Sequence, residues 1–342
     1  MCRVGGKQCR CPESQAQKIR ESARKEELYQ AKKDGYTDRE EWVKDNPIKA
    51  RAIKENTKER MEQAGIPFLE QLNRSHRRPL AEQSVHIEDI QEHYNEHIET
   101  LPSVHKNTLA LYTGTGYKFI NAPLRDGRIN DDGTLNIEKV ESLEQDYLRR
   151  EEQGQLRPYE ERESRRGTER TVERVKNMDA IFEEHAYHFK PGDKVYRYIE
   201  IENPNDSVKE WIRKNASDGI YNDKAYVSTS MNPEHVIAMA EVKRLKSGTY
   251  KHVKKRFAIL EIEPKRGVPI APYYANRNLN SRSIQEAEEE ILLERNSKFE
   301  IEGIDTLEHS FDEDKNYPET AFSQVWLHGP AYRMPIIKMR QV

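Results

Sequence analysis

The sequence has no run of about 18 apolar residues, the length that a membrane-crossing helix requires, so no span is expected in its 342 residues. Cysteine is scarce too. Cys2, Cys9 and Cys11 are the whole supply, so no disulfide staples the rest of the chain and a reducing compartment is expected. Their spacing matches no zinc finger or ribbon, and an unstructured tip is the simpler reading. Apolar residues make up 35% against 34% charged, with a mean hydropathy of −1.02. A chain so polar cannot be core-rich from end to end, and part of it is expected as solvated arm or exposed helix. The opening MCRVGGKQCRCP offers no apolar stretch for secretion, which points to synthesis in the cytosol.

Charge is abundant and unevenly placed. Residues 1–84 hold 19 Lys and Arg against 14 Asp and Glu, and residues 85–342 hold 38 against 46. A mildly basic arm thus precedes an acidic body, and no specific nucleic-acid partner is expected. Within residues 14–64 charges alternate so evenly that no apolar stripe persists beyond a turn or two, as in a solvated helix or a disordered segment. Ile66-Pro67-Phe68-Leu69 and Leu72 form a small patch able to dock this arm.

From Val85 the pattern sharpens. Ile87, Ile90, Tyr94, Ile98 and Leu101 follow steps of three and four until Pro102, which predicts one amphipathic helix. A short helical stretch around Leu109 and Leu111 follows. Residues from Asp126 to about Arg170 read as an exposed insertion, polar and turned at Asp131-Asp132-Gly133. After a helix from Val172 the period changes to two: strands are expected at Val195–Ile199, Ala225–Ser228, Phe257–Ile262, Val268–Ile270, Phe299–Ile301, Val325–Leu327 and Pro335–Met339. Val208, Trp211 and Ile212 mark a helix between them, and Asn232 with Pro233 reads as the N-cap and first turn of another. The expected class is α+β, with an arm at 1–84 and a body at 85–342.

Three pieces of the strand-rich half carry chemistry: Tyr196-Arg197, then Ser228-Thr229-Ser230, then Glu288-Glu289-Glu290 before Ile291-Leu292-Leu293. A glutamate run alone reads most readily as a solvated helix. The Ile-Leu-Leu that follows favours a strand, and in a strand Glu288 and Glu290 share one face. A rival signal is His93-Tyr94-Asn95-Glu96-His97, the H-x-x-E-H order of a zinc peptidase. Both histidines border a stripe already explained by packing and no specific third ligand follows, so a surface helix is the better account.

In their order these pieces resemble the arginine–serine–glutamate class of ADP-ribosyltransferases, which includes clostridial actin- and Rho-modifying toxins and several phage enzymes. The resemblance covers about residues 85–342 and includes Tyr112-Thr113, Tyr117, Ile120-Asn121 and Leu124-Arg125 at matching intervals. It implies a mixed β-sandwich core with flanking helices, NAD as substrate without a metal, and an unidentified target protein as partner. Glu290 would face the ribosyl cation left when nicotinamide departs. Ser228 would fix that carboxylate or touch NAD, beside Thr229. Arg197 would clamp the diphosphate, Arg125 and Asn121 would hold phosphates and ribose, and Tyr112 would line the pocket. Glu288, two residues before the catalytic position, goes with arginine acceptors in this class, and Tyr273 and Tyr274 occupy the acceptor-recognition turns. Glu294, where relatives often have proline, and the insertion depart from the pattern. A phage-borne or signal-independent delivery and a non-catalytic phage assembly protein are the other readings the sequence leaves open.

Overall fold

The computed structural model describes residues 3–4, 7–8, 12–66, 74–78, 87–155, 165–201, 208–233, 235–237, 239–240, 256–270, 290–309 and 332–342. Glu288, Tyr273, Tyr274, the three cysteines and the strand expected at 325–327 lie outside the described residues.

A two-stranded ribbon, β1 (Arg3–Val4) and β2 (Lys7–Gln8), precedes helices α1 (Pro12–Lys33), α2 (Arg39–Asp45) and α3 (Pro47–Gln63). Asp38 caps α2 by accepting from the Glu40 and Glu41 amides at 2.6 and 3.0 Å, and Pro47 opens α3. The arm has a core of its own. Trp42 is fully buried among Ala23, Ala31, Ala50 and Ile53, and its Nε1 donates to Asp34 at 2.8 Å. Alanine carries too little apolar surface to mark a stripe in sequence, yet it lets helices approach closely enough to bury one tryptophan. Against the body, α3 presents ion pairs: Arg51 with Glu263, Lys54 with Glu302 at 3.0 Å, and Lys58 with Glu300.

The body begins with β3 (Arg74–Arg78) and a set of helices. Helix α4 (Ile87–His93) runs on as a π turn over Tyr94–Ile98, burying Ile90, Tyr94, Ile98 and Leu101 as the spacing predicts. Helix α5 (Ser103–Leu111) likewise ends in a π turn, Tyr112–Gly116, before α6 (Tyr117–Arg125), α7 (Ile137–Glu152) and α8 (Arg165–His185). The expected insertion at about 126–170 is in part built into the core. Arg128 and Ile129 are 4% and 2% exposed, and Ile129 bridges Leu135. Asn136 then caps α7 through the Lys139 amide. Polar composition hid this, because a few buried residues, Arg128, Ile129 and Val140 among them, tie the segment down.

The strands are β4 (Tyr187–His188), β5 (Val195–Ile201), β6 (Ala216–Ser217), β7 (Ile220–Asp223), β8 (Val227–Ser230), β9 (Arg256–Glu263), β10 (Arg266–Pro269), β11 (Glu290–Leu293), β12 (Ser297–His309) and β13 (Tyr332–Gln341). Helix α9 (Val208–Asn215) lies between β5 and β6. They pair in the order β4-β10-β11-β8-β5-β9-β13-β12-β7-β6, with β3 also beside β12. Only β9–β13 and β3–β12 are parallel among the described pairs, so the sheet is mixed and the class is α+β. One face of β10 and β11, through Val268 and Leu292, packs on helix residues Leu109, Ile120, Met178 and Phe182. On the other face Ile291 and Leu293 join Val195, Leu260, Phe299 and Ile337. That alternation decides which residues face the helices, and so where a site can form.

Candidate active site

Strand β8 pairs with β11 over four residues but with β5 at one pair only, Tyr196 opposite Ser230. Beyond that pair no further β5–β8 pairing is formed among the described residues, and the sheet order passes through this narrow joint. Arg197, the next residue on β5, donates from Nη1 to the Ser228 carbonyl at 3.3 Å.

Across the β8–β11 ladder, Glu290 lies opposite Ser230 and Leu292 opposite Ser228. Directly paired residues share a face, so Glu290, Ser228 and Leu292 all face the helical layer that receives Leu292. The Ser228 hydroxyl donates to Glu290 Oε1 at 2.5 Å. Thr229 points the other way. It is 4% exposed and its hydroxyl donates to the Ile291 carbonyl at 2.7 Å. The expectation that Thr229 contacts NAD is therefore corrected: strand alternation places it in the core, where it locks β8 to β11.

The helical layer supplies the opposite wall. Asn121 on α6 is 4% exposed, and its Nδ2 donates to the Tyr112 hydroxyl at 2.9 Å and the Tyr226 carbonyl at 3.2 Å. Those two acceptors fix which way the amide points. Its Oδ1 is then a buried acceptor with no partner among the described residues, a state that burial penalises unless a donor arrives. Tyr112, expected to line a pocket, is 1% exposed and donates to the Tyr226 carbonyl at 3.1 Å, so it supports Asn121 from behind. Burial pushes its phenol well above the ordinary tyrosine range, while the charges of Arg197, Glu290 and Arg125 all act on it.

Arg125, in the last turn of α6, pairs with Asp223 through Nε and Nη2 at 3.3 and 3.1 Å. Burial pulls its guanidinium down, but the charge and hydrogen bond of Asp223 more than offset this and raise it. Sequence reading missed Asp223, Tyr221 and Tyr226. An aspartate at a strand end carries no signal, and its partner lies 98 residues away. The histidines of the rival motif lie on the π turn and the helix before it. His93 Nε2 is 2.9 Å from the His185 carbonyl, and no metal-holding cluster of His, Cys, Asp or Glu occurs among the described residues.

The family model described as "ADP-ribosyltransferase exoenzyme" matches residues 90–320. The chain belongs to the ADP-ribosyltransferase exoenzyme family. No curated protein matches it. Among solved structures, it is similar to the ADP-ribosylating toxin BECa of the Clostridium perfringens binary enterotoxin, determined with NADH, at 14% identity and a TM-score of 0.41, covering 75% of this chain and 47% of that one. It is similar also to an ADP-ribosyltransferase from Clostridium botulinum (12%, TM-score 0.41, 77% and 98% covered). A third is an ADP-ribosyltransferase toxin from Paenibacillus larvae (14%, TM-score 0.39, 75% and 94%). The matched part thus spans about half the length of BECa. Within the family match lie Tyr112, Asn121, Arg125, Arg197, Ser228, Glu288 and Glu290, so the motif residues and the family assignment coincide on one stretch.

Proposed function

We propose that this exoenzyme-family chain is a mono-ADP-ribosyltransferase that moves ADP-ribose from NAD to an arginine side chain of a target protein. The observation that carries this is the Ser228–Glu290 hydrogen bond on the cleft face, with Arg197 at the joint beside it and the unpartnered Asn121 Oδ1 opposite. The bond that breaks joins nicotinamide to ribose C1′, and its electron pair leaves with neutral nicotinamide. The diphosphate stays whole, so the reaction is a glycosyl transfer.

The cation that develops on the ribose needs a fixed negative charge close by. Glu290, held by Ser228, supplies it. Arg197 and Arg125 offer planar forks suited to the diphosphate, and Asn121 Oδ1 suits a ribose hydroxyl, which brings the donor that atom lacks. A guanidine nitrogen then bonds to C1′ and passes its proton to Glu288, while Tyr273 and Tyr274 bear on the acceptor protein. The assignment to arginine follows from Glu288 standing two residues before Glu290, as the class resemblance implies.

The test is incubation of the full chain with labelled NAD and a cell lysate, followed by mass spectrometry of the labelled peptides. ADP-ribose on arginine, absent with Glu290→Gln, is expected. Label confined to another residue type would overturn the acceptor assignment, and no label with intact, NAD-consuming protein would overturn transfer to protein.

A further inference from the structure

We propose that Asp223, steadied by Tyr221, is a positioning residue that aims Arg125 at the diphosphate of NAD. This rests on the functional reading above. Asp223 ends β7 opposite Ser297 and is 5% exposed. Its Oδ1 accepts from the Ala225 amide at 3.1 Å and from Arg125 Nε at 3.3 Å. Its Oδ2 accepts from Arg125 Nη2 at 3.1 Å and the Tyr221 hydroxyl at 3.2 Å. Four donors fill the lone-pair capacity of one carboxylate, so it is held from the strand, the turn and the tyrosine at once.

The geometry leaves Arg125 with work still to do. A guanidinium has five N–H donors, and Asp223 engages only the Nε and Nη2 side. The Nη1 edge points away from the carboxylate, on a side chain that is 46% exposed. Burial pushes the Tyr221 phenol up, so it stays protonated and remains a donor to Asp223. The charges of both Arg125 and Arg197 act on that phenol.

Two effects of Asp223 oppose each other. Its negative charge offsets part of the attraction between Arg125 and a diphosphate. Its grip removes the rotamer freedom that a long, exposed arginine would otherwise lose on binding. Because the carboxylate lies behind the guanidinium, farther from any ligand than the free edge, the ordering effect dominates. Losing it should weaken NAD binding by roughly three- to tenfold, the scale of ordering one long side chain.

Asp223→Asn keeps the shape and the Ala225 contact and removes the charge. Calorimetric NAD affinities should be measured for the parent chain, Arg125→Ala, Asp223→Asn and the double variant, with kcat and KM for NAD hydrolysis in parallel. The expected result is weaker binding in both single variants, a double variant no weaker than Arg125→Ala, and a raised KM with kcat little changed. Unchanged or tighter binding by Asp223→Asn while Arg125→Ala is weakened would overturn the proposal and leave the functional reading standing. Equal losses from Asp223→Asn with and without Arg125 would also overturn it, because Asp223 would then act through folding. If Arg125→Ala itself binds NAD normally, the placement of Arg125 fails along with the proposal. Should Asp223→Asn not fold, Tyr221→Phe, which removes one donor to the carboxylate, is judged by the same cycle.

Discussion

At the scale of single residues, the proposed function gives the two glutamates of the motif different tasks. Glu290→Gln keeps the volume and removes the charge facing the ribosyl cation, so protein modification and NAD hydrolysis should both fall by at least about two decades while NAD binding persists. Glu288→Gln leaves that charge in place. Transfer to arginine should collapse while hydrolysis by water survives, and parallel assays of NAD consumption and label incorporation separate the two variants. A Glu288→Gln protein that loses both activities would reverse the assignment. Arg197→Ala should weaken NAD binding by roughly one to two decades, the scale of a charged hydrogen bond of about 1.5–3 kcal/mol, and calorimetry reads this directly. Thr229→Val makes the contrast. Its hydroxyl serves the Ile291 carbonyl and not the cleft, so the melting temperature should drop and NAD affinity should hold.

At the scale of elements, periodicity revealed most of what it could. The steps from Ile87 to Leu101 and the alternation of Val195–Ile199 become α4 with its π turn and β5, because one buried face suffices to mark each. Asn232 caps the turn that follows it, accepting from the His235 amide at 3.1 Å. Residues with no period were illegible. The arm's core is made mainly of alanines and one tryptophan, and Asp223 gains meaning only from a partner on another element. The orientation of Thr229 is illegible for a different reason, since a Ser-Thr-Ser run does not say which of its members faces the helical layer until the register against β11 is known. The turn after Asn232 also carries a pH dependence. Burial lowers the His235 pKa to about 4 from its ordinary 6.5, so the unfolded chain binds the extra proton first as pH falls. Stability is full above pH 6.5 and declines toward pH 4, by up to about 3 kcal/mol. His235→Gln should flatten this part of a melting-temperature profile relative to the parent. Parallel profiles would count against the burial of that ring.

At the scale of the whole molecule, arm and body are joined by charge. Lys54 and Lys58 are half exposed, and exposed pairs contribute only about 0.2–1 kcal/mol each and weaken as salt shortens the screening length. Hydrogen exchange over residues 47–63 should therefore rise with ionic strength before the sheet is affected. Residues 74–342, which keep β3 beside β12, should fold and bind NAD without the helical arm, since Tyr112 is the first motif residue; a folded but NAD-blind fragment would show that the arm shapes the site. The sheet order has a further consequence, for synthesis. β13, made after every other described strand, inserts between β9 and β12. On one side β9 carries β5 and Arg197; on the other β12 carries β7 and Asp223. A nascent chain thus has Glu290 and Arg197 in hand while the two halves of the sheet are still unjoined, and among the described strands residues 332–341 close the gap. The cell that translates this protein meets a finished cleft only once those residues have left the ribosome.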